Sequence, residues 1–237
     1  MGRTALVTGG NRGIGLEICR QLGAAGHVVK LAAREQVLGE EAAAALRGEG
    51  LDVTAVVLDV NDPASIARCA EKLSSAGVTV DVLVNNAGVF VGGTLLSGPD
   101  PMADSIAVNL MGPLQTARAF VPAMIERNWG RVVNISSAWG SFAEGLEGVP
   151  SYAITKAALN ALTIHLAREA GPDVLINAMC PGWVQTRMGF DSAPWEPGGG
   201  LPELTPQEGA DTALYLATLP DGGATGGFFR ERAPLDW

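Results

Sequence analysis

The sequence predicts an α/β protein built on a doubly wound parallel sheet. Short apolar runs alternate with helical patterns along almost the whole chain, and this order produces parallel strands joined by right-handed crossovers. The apolar runs are continuous, as expected for strands that helices cover on both faces. With 237 residues, of which 47% are hydrophobic, the chain has the size of one large α/β domain. We therefore expect a single domain over residues 1–237.

The predicted elements follow one another in the order of a Rossmann-type domain. Apolar runs predict strands at residues 4–8, 27–33, 53–58, 82–84, 131–135, 175–179 and 226–229. Helical patterns predict crossovers at residues 13–25, 36–48, from 62–63 onward, 102–128, 152–170 and from 206 to about 218. The Asp62-Pro63 pair is typical of a helix start, because proline is favoured in the first turn. The Pro/Gly-rich stretch 181–206 predicts an irregular loop.

A glycine-rich turn joins the first predicted strand to the first helix. Its glycines are separated by polar and apolar residues, in the order Gly9, Asn11, Arg12, Gly13, Ile14, Gly15. Glycines at such a turn let the backbone approach a pyrophosphate, whose charge then rests on the helix N-terminus. The spacing is G-x-x-x-G-x-G, which differs from the common dinucleotide fingerprint. A glycine turn without a ligand is the alternative interpretation.

The end of the second predicted strand favours NADP(H) over NAD(H) as cofactor. A site for NAD(H) normally places an acidic residue there to hold the ribose 2′-hydroxyl. Ala32 and Ala33 occupy this place, and Arg34 follows. A guanidinium can pair with a 2′-phosphate, and Arg12 in the glycine turn would add a second positive charge. Alternatively, Arg34 faces solvent with its charge neutralised by Glu35.

Tyr152 and Lys156 are spaced one helical turn apart. Residues i and i+4 share a helix face, so the phenol and the ammonium can converge on one point. A nearby ammonium favours the phenolate, and we therefore expect the pKa of Tyr152 to be lowered. Taken alone, this spacing also fits a solvated helix face.

Composition and charge exclude several other classes of protein. The net charge of −9 argues against binding to nucleic acid or to an acidic membrane surface. We expect no targeting or membrane-spanning segment and a cytoplasmic location. The three widely spaced cysteines favour neither disulfides nor a metal site. With only two histidines, a Ser-His-Asp hydrolase is also disfavoured.

Six motifs, in one order, resemble those of the short-chain dehydrogenase/reductase family over almost the whole chain. Residues 8–15 resemble its T-G-x-x-x-G-x-G turn, and residues 85–88 match its N-N-A-G segment. Asp59-Val60 resembles the adenine-contacting acid after the third strand, and residues 181–186 resemble the P-G-x-V-x-T nicotinamide segment. The glycine turn and the Ala33-Arg34 step are similar to the NADPH-using carbonyl reductases. Beyond the glycine turn and Arg34, the resemblance implies cofactor contacts from Asp59, Val60, Asn86, Ala87, Gly88, Tyr152, Lys156, Pro181, Gly182, Val184 and Thr186.

The resemblance also implies a catalytic tetrad, formed by Asn109, Ser137, Tyr152 and Lys156. Tyr152 would donate the proton, and Lys156 would lower the pKa of Tyr152 and contact the nicotinamide ribose. Ser137 would hold the carbonyl oxygen, with its neighbour Ser136 as the competing choice. Asn109 would keep a water in a proton relay, or would be a structural amide.

Aromatic and apolar residues beyond the strand ends predict a bulky hydrophobic carbonyl or alcohol as the small-molecule substrate. The foremost candidates for substrate contacts are Phe90, Trp139, Trp183 and Met188, followed by Val91, Phe142, Leu146, Phe190 and Trp195. We expect a substrate-covering loop at about 183–205, in which Gly198-Gly199-Gly200 between Pro197 and Pro202 is either a hinge or a passive linker. Only fourteen residues separate Ser137 from Tyr152, so the long insertion that some monomeric carbonyl reductases carry before the tyrosine is missing. The resemblance to family members without this insertion implies a homodimer or homotetramer joined through helices 102–128 and 152–170.

These features together predict an NADPH-dependent oxidoreductase that reduces a ketone or aldehyde reversibly. Three alternatives stay open: an NADP(H)-binding sensor or scaffold without turnover, an NAD-preferring alcohol dehydrogenase, and a dehydratase or epimerase that does not consume cofactor.

Overall fold

The computed structural model describes residues 2–196 and 198–237, in which eight strands form one sheet in the order β3-β2-β1-β4-β5-β6-β7-β8. The strands are β1 Thr4–Thr8, β2 Val28–Ala33, β3 Val53–Val57, β4 Val82–Asn85, β5 Gly130–Ile135, β6 Val174–Met179, β7 Phe228–Arg230 and β8 Ala233–Pro234. The first seven run parallel, and β8 pairs antiparallel with β7. The strand order reverses between β1 and β4, where ligands bind in this architecture. The predicted fold class is confirmed.

Helices cover both faces of the sheet. They are α1 Gly13–Ala24, α2 Gln36–Gly48, α3 Pro63–Ser75, α4 Met102–Ile106, α5 Gly112–Glu126, α6 Pro150–Ala170, α7 Arg187–Ser192 and α8 Pro206–Ala217. The side chain of Asp62 accepts a hydrogen bond from the Ala64 amide and begins α3, and Thr205 and Glu208 form a capping box on α8. No helix of the described residues is long and apolar enough to cross a membrane.

Three elements differ from the predictions. The predicted helix 102–128 is interrupted between α4 and α5 by a π-helical turn at Ala107–Met111. The predicted loop 181–206 contains α7, which Thr186 caps by accepting a hydrogen bond from the Gly189 amide. The final strand is part of a hairpin, because Glu231 and Arg232 adopt positive φ values of 51° and 62° and reverse the chain. Single residues with positive φ outside glycine carry a weak sequence signal.

A buried polar chain crosses the interior between α5, the sheet and α6. Thr116 donates to Asn85 Oδ1 at 2.7 Å, Asn85 donates to Asn134 Oδ1 at 2.8 Å, and Asn134 donates to Thr163 Oγ1 at 2.9 Å. All four residues are buried. Because no water reaches these buried groups, the side-chain amides of Asn85 and Asn134 depend on one another and on the two threonines for their hydrogen bonds. This chain fixes the spacing of α5 and α6 across β4 and β5.

We expect Thr163→Val to lower the free energy of unfolding by about 1–3 kcal/mol, because Asn134 would be left with an unpaired buried donor. Thr218→Val is the matched control. The Thr218 hydroxyl donates to the Leu214 carbonyl, four residues earlier, but Thr218 is exposed. Loss of this hydroxyl should therefore change the free energy of unfolding by less than about 0.5 kcal/mol. Urea unfolding of both variants measures this difference, and equal losses would contradict the buried-chain interpretation.

Candidate active site

The structure brings Ser137, Tyr152 and Lys156 together beyond the carboxyl end of β5. Tyr152 lies in the first turn of α6, and Lys156 follows one turn later. The Nζ atom of Lys156 lies 5.3 Å from the centroid of the Tyr152 ring, and the Ser137 side chain lies close enough to the phenol to lower its pKa. These three residues therefore form one cluster, as their motifs predict.

The pKa of Tyr152 departs from its ordinary value in the direction opposite to the prediction. Burial raises it, because a phenolate loses hydration there, and the neighbouring Ser137 side chain only partly opposes the shift. Any stabilisation of the phenolate by the Lys156 ammonium, which donates to the Ile135 carbonyl at 2.7 Å, is smaller than the cost of burial. The expected lowering of the Tyr152 pKa by Lys156 is therefore wrong. Burial also lowers the pKa of Lys156, to about 8.

Different hydrogen bonds separate Ser137 from its neighbour Ser136. Ser136 is buried and donates to Asn160 Oδ1 at 2.5 Å, and its hydroxyl oxygen lies 3.3 Å from the Lys156 carbonyl oxygen. The Ser137 hydroxyl accepts a hydrogen bond from the Trp139 amide at 3.2 Å, and Ser137 lowers the pKa of the neighbouring Tyr152. Ser136 therefore anchors the strand end, and Ser137 is the serine that faces the tyrosine.

Asn109 lies in the π-helical turn, and its side chain is fully buried. Its Oδ1 accepts from the Val89 amide at 2.9 Å, and its Nδ2 donates to the Val89 carbonyl at 3.0 Å and to Thr155 Oγ1 at 3.2 Å. A Cβ atom added at Gly88 would lie 3.4 Å from Asn109 Oδ1 and 3.8 Å from Lys156 Nζ. Asn109 therefore borders the cluster, while its side chain plays the structural role that the sequence left open.

The glycine turn forms a cradle whose shape suits a dinucleotide. Gly9 and Gly13 have φ values of +62° and +56°, and a Cβ atom at Gly15 would lie 2.3 Å from Asn86 Nδ2. Asn86 Nδ2 donates to the Thr8 and Gly9 carbonyls at 2.9 and 3.2 Å, which joins the turn to the N-N-A-G segment. Within the described residues, no side chain caps the N-terminus of α1, and its first turn contains no acidic residue. The backbone amides of that turn are therefore available to bind an anion.

The predicted contacts of the adenosine half are less fixed by the structure. The guanidinium of Arg34 is exposed and lies 3.5 Å from the Glu35 carboxylate. Arg12 is exposed at the start of α1. Asp59 Oδ1 accepts a hydrogen bond from the Asn61 amide at 2.9 Å, the turn-forming role that competes with adenine recognition. A Cβ atom at Gly112 would lie 3.0 Å from the Val60 side chain, so Val60 packs against the start of α5.

The predicted substrate-covering loop is closed at its base. Val184 and Leu204 form a parallel bridge, in which the Gln185 amide donates to the Leu204 carbonyl at 2.8 Å and the Leu204 amide donates to the Trp183 carbonyl at 3.1 Å. A Cβ atom at Gly182 would lie 2.5 Å from the Leu204 side chain. Of the predicted hinge, Pro197 lies outside the described residues. Within the P-G-x-V-x-T segment, Pro181 follows β6, and the Thr186 side chain would lie 3.3 Å from a Cβ atom at Gly13.

The predicted substrate residues divide into two groups. Phe90 and Trp139 surround the Tyr152 ring, with centroid distances of 5.5 and 6.1 Å from it and 6.2 Å between them. Trp183 and Met188 belong to the loop, where the Trp183 indole donates to the Gly189 carbonyl at 2.9 Å. Of the other candidates, Phe142, Leu146, Phe190 and Trp195 are exposed.

Two residues near the cluster were not predicted from the sequence. A Cβ atom at Gly148 would lie 2.3 Å from the Trp139 ring, so this glycine makes room for the indole. Asn160, on α6, contacts Ser136 as described above. Its only sequence signal is a polar amide within the apolar stretch 157–162 of α6.

A model of the family described as short chain dehydrogenase matches residues 3–197. The chain belongs to the short-chain dehydrogenase/reductase family. The oxidoreductase UcpA of Escherichia coli strain K12 is 36% identical, over 95% of this chain and 91% of its own. The (+)-neomenthol dehydrogenase of Arabidopsis thaliana is 32% identical, over 97% of this chain and 96% of its own. Family membership makes the protein an oxidoreductase.

Solved structures of this family have the same fold. A variant of actinorhodin polyketide ketoreductase, solved with NADPH, is 30% identical and superposes with a TM-score of 0.84 over 96% of this chain and 94% of its own. A 3-oxoacyl-[acyl-carrier protein] reductase from Brucella melitensis with bound NAD is also 30% identical, with a TM-score of 0.80 over 95% of this chain and 88% of its own. Both cofactors therefore occur among similar proteins.

Proposed function

We propose that the protein is an NADPH-dependent oxidoreductase that reduces a hydrophobic ketone or aldehyde to an alcohol, and that the reaction is reversible. The supporting observation is the half-buried phenol of Tyr152, which lies next to Ser137 and Lys156 and is surrounded by Phe90 and Trp139. A proton donor, an oxygen-binding hydroxyl and an apolar wall are the groups that carbonyl reduction requires of a protein.

NADPH, when bound, supplies the hydride. As negative charge develops on the substrate oxygen, Ser137 donates a hydrogen bond to it and Tyr152 transfers its phenolic proton to it. Because burial raises the pKa of Tyr152, the phenol stays protonated until that basic oxygen is present. The Lys156 ammonium then stabilises the phenolate that remains. Both hydrogens of the Asn109 side-chain amide are donated to protein acceptors. Any water that this residue holds for a proton relay would therefore donate to Asn109 Oδ1 or to the Asn109 backbone carbonyl.

The glycine turn and the N-terminus of α1 would hold the pyrophosphate, and Lys156 and residues 181–186 would contact the nicotinamide half. Two observations support NADPH over NADH: the buried alanines at the end of β2, and the exposed Arg34 and Arg12 beyond it. The ketoreductase solved with NADPH supports the same choice, whereas the Brucella reductase with NAD supports the alternative.

Tyr152→Phe should lower kcat for ketone reduction by about 10²- to 10⁴-fold and leave NADPH binding intact, because only the proton donor is lost. The measurement is NADPH oxidation with a panel of aromatic ketones, together with NADPH binding by fluorescence. Tyr215→Phe is the matched control, since Tyr215 is the only other tyrosine and should leave kcat unchanged. A wild type that binds NADPH but reduces no ketone would favour a sensor, and product formation without NADPH loss would favour a dehydratase or epimerase.

The rate of ketone reduction should fall as the pH rises through about 8, the pKa of Lys156. Below this pH the ammonium is charged and stabilises the phenolate, whereas above it the charge is lost. Tyr152, with its raised pKa, stays protonated over the same range. The test is kcat measured from about pH 6 to pH 10 in wild type and Lys156→Arg, whose charge persists and should remove the fall. A wild-type rate that increases through this range would refute the assignment.

Arg34→Asp should weaken NADPH binding and raise the relative preference for NADH, because a carboxylate repels the 2′-phosphate and accepts from a 2′-hydroxyl. We expect the ratio of kcat/KM for the two cofactors to shift by at least about tenfold. Arg68→Asp makes the same charge change at an exposed position of α3 and should leave the ratio unchanged. An unaltered preference in Arg34→Asp would remove this arginine from the cofactor site.

We further propose that the protein is a homodimer or homotetramer joined through α4, α5 and α6. These helices and the π-helical turn leave large apolar side chains exposed, at Ile106, Met111, Ile125 and Ile154. Association would remove this apolar surface from water. Light scattering should give twice or four times the mass of one chain, and the mass of a single chain would contradict the proposal.

A further inference from the structure

Asn160 links the segment 136–140, which carries Ser137, to the helix that carries Tyr152 and Lys156. It lies on α6 one turn beyond Lys156, and 4% of its surface is exposed. Its Oδ1 accepts from the Ser136 hydroxyl at 2.5 Å, and its Nδ2 donates to the Gly140 carbonyl at 3.1 Å. One side chain therefore holds the segment on both sides of Ser137.

Ser136 and Gly140 are the two anchors that Asn160 holds, and backbone hydrogen bonds between them determine where the Ser137 hydroxyl lies. The Gly140 amide donates to the Ser137 carbonyl at 3.0 Å, and the Trp139 amide donates to the Ser137 hydroxyl at 3.2 Å. Both amides belong to the single 3₁₀ turn at Ala138–Gly140 that Ser137 caps. A shift of the Gly140 carbonyl would therefore move the amide that orients the Ser137 hydroxyl.

The segment also approaches α6 so closely that an amide side chain can reach both anchors. A Cβ atom at Gly140 would lie 2.6 Å from the Lys156 carbonyl carbon and 2.7 Å from the Ala157 nitrogen. The Ser136 hydroxyl oxygen lies 3.3 Å from the Lys156 carbonyl oxygen. In this buried environment each polar group requires its partner, so alternative positions of the segment are costly.

We infer that Asn160 is a positioning residue, which sets the place of the Ser137 hydroxyl relative to Tyr152 and Lys156. The inference rests on the proposed function, because Ser137 is taken there to bind the carbonyl oxygen. Asn160 itself faces Ser136 and Gly140, and it acts on the reaction only through the segment between them. Displacements of about 1 Å in such a group can lower a rate by about 100-fold.

The test is a double-mutant cycle between Asn160→Leu and Ser137→Ala, with NADPH and the aromatic ketone that the wild type reduces fastest. Leucine has nearly the shape of asparagine and removes both hydrogen bonds. We expect Asn160→Leu to lower kcat by about 10- to 100-fold with the KM for NADPH unchanged. In the Ser137→Ala background the same substitution should change kcat by less than about threefold, because the hydroxyl it positions is already absent.

Thr163→Val is the matched control. It lies on the same helix, is fully buried and also loses a hydrogen bond, from Asn134, but it forms no hydrogen bond with residues 136–140. Its loss of stability should leave kcat unchanged, with and without Ser137→Ala. Multiplicative effects of Asn160→Leu and Ser137→Ala, or an equal loss of kcat in Thr163→Val, would assign Asn160 a merely structural role and overturn the inference.

Two further measurements keep the inference testable when turnover or folding fails. Amide hydrogen exchange of residues 136–144 should accelerate in Asn160→Leu and not in Thr163→Val, whether or not the wild type reduces a ketone. A wild type without turnover would reject the proposed function, and unchanged exchange would reject the positioning role. Should Asn160→Leu fail to fold, Ser136→Ala removes one of the two anchors. It should show faster exchange and a smaller loss of kcat, and wild-type behaviour in both would overturn the inference.

Discussion

The parallel alignment of neighbouring strands is the constraint that assembles the candidate site. In β1, β4, β5 and β6 the register pairs Val7 with Val84, Asn85 with Asn134, and Ile135 with Met179. The residues that follow these strands therefore emerge at one edge of the sheet. The glycine turn, the N-N-A-G segment, Ser137 and the P-G-x-V-x-T segment lie far apart in sequence and meet there for this reason alone.

Burial determines the chemistry of the groups at that edge. Water would keep Tyr152 and Lys156 near their ordinary pKa values, whereas the interior disfavours the charged form of each. The phenol consequently holds its proton more firmly, and the amine releases its proton more easily. Hydrogen-bonded partners offset the cost of burying such groups, as the Ile135 carbonyl does for Lys156. The same low-dielectric surroundings thus position the cluster and adjust its protonation.

The sequence predicted what depends on periodicity and on ordered motifs. The first seven strands, the glycine turn and the convergence of Ser137 with Tyr152 and Lys156 all follow from such patterns. Features that depend on tertiary packing were missed or wrong. The π-helical turn around Asn109 is set by hydrogen bonds to Val89 and Thr155, and the direction of the Tyr152 pKa depends on how deeply α6 buries the phenol. Spacing along a helix indicates which side chains can meet, but not how much water remains between them.

The bridge between Val184 and Leu204 divides the loop into a base of paired backbone and an outer part. Without the bridge, a substitution in the outer part would also shift the base. Thr186, beside the glycine turn, lies two residues from Val184 of the bridge, whereas the outer part of the loop contains Trp195, whose ring would lie 3.6 Å from a Cβ atom at Gly92. Insertions, deletions or substitutions in that outer part leave the paired backbone at the base in place. Under the proposed function, selectivity for different carbonyl compounds can therefore diverge during evolution while the residues at the nucleotide site are retained.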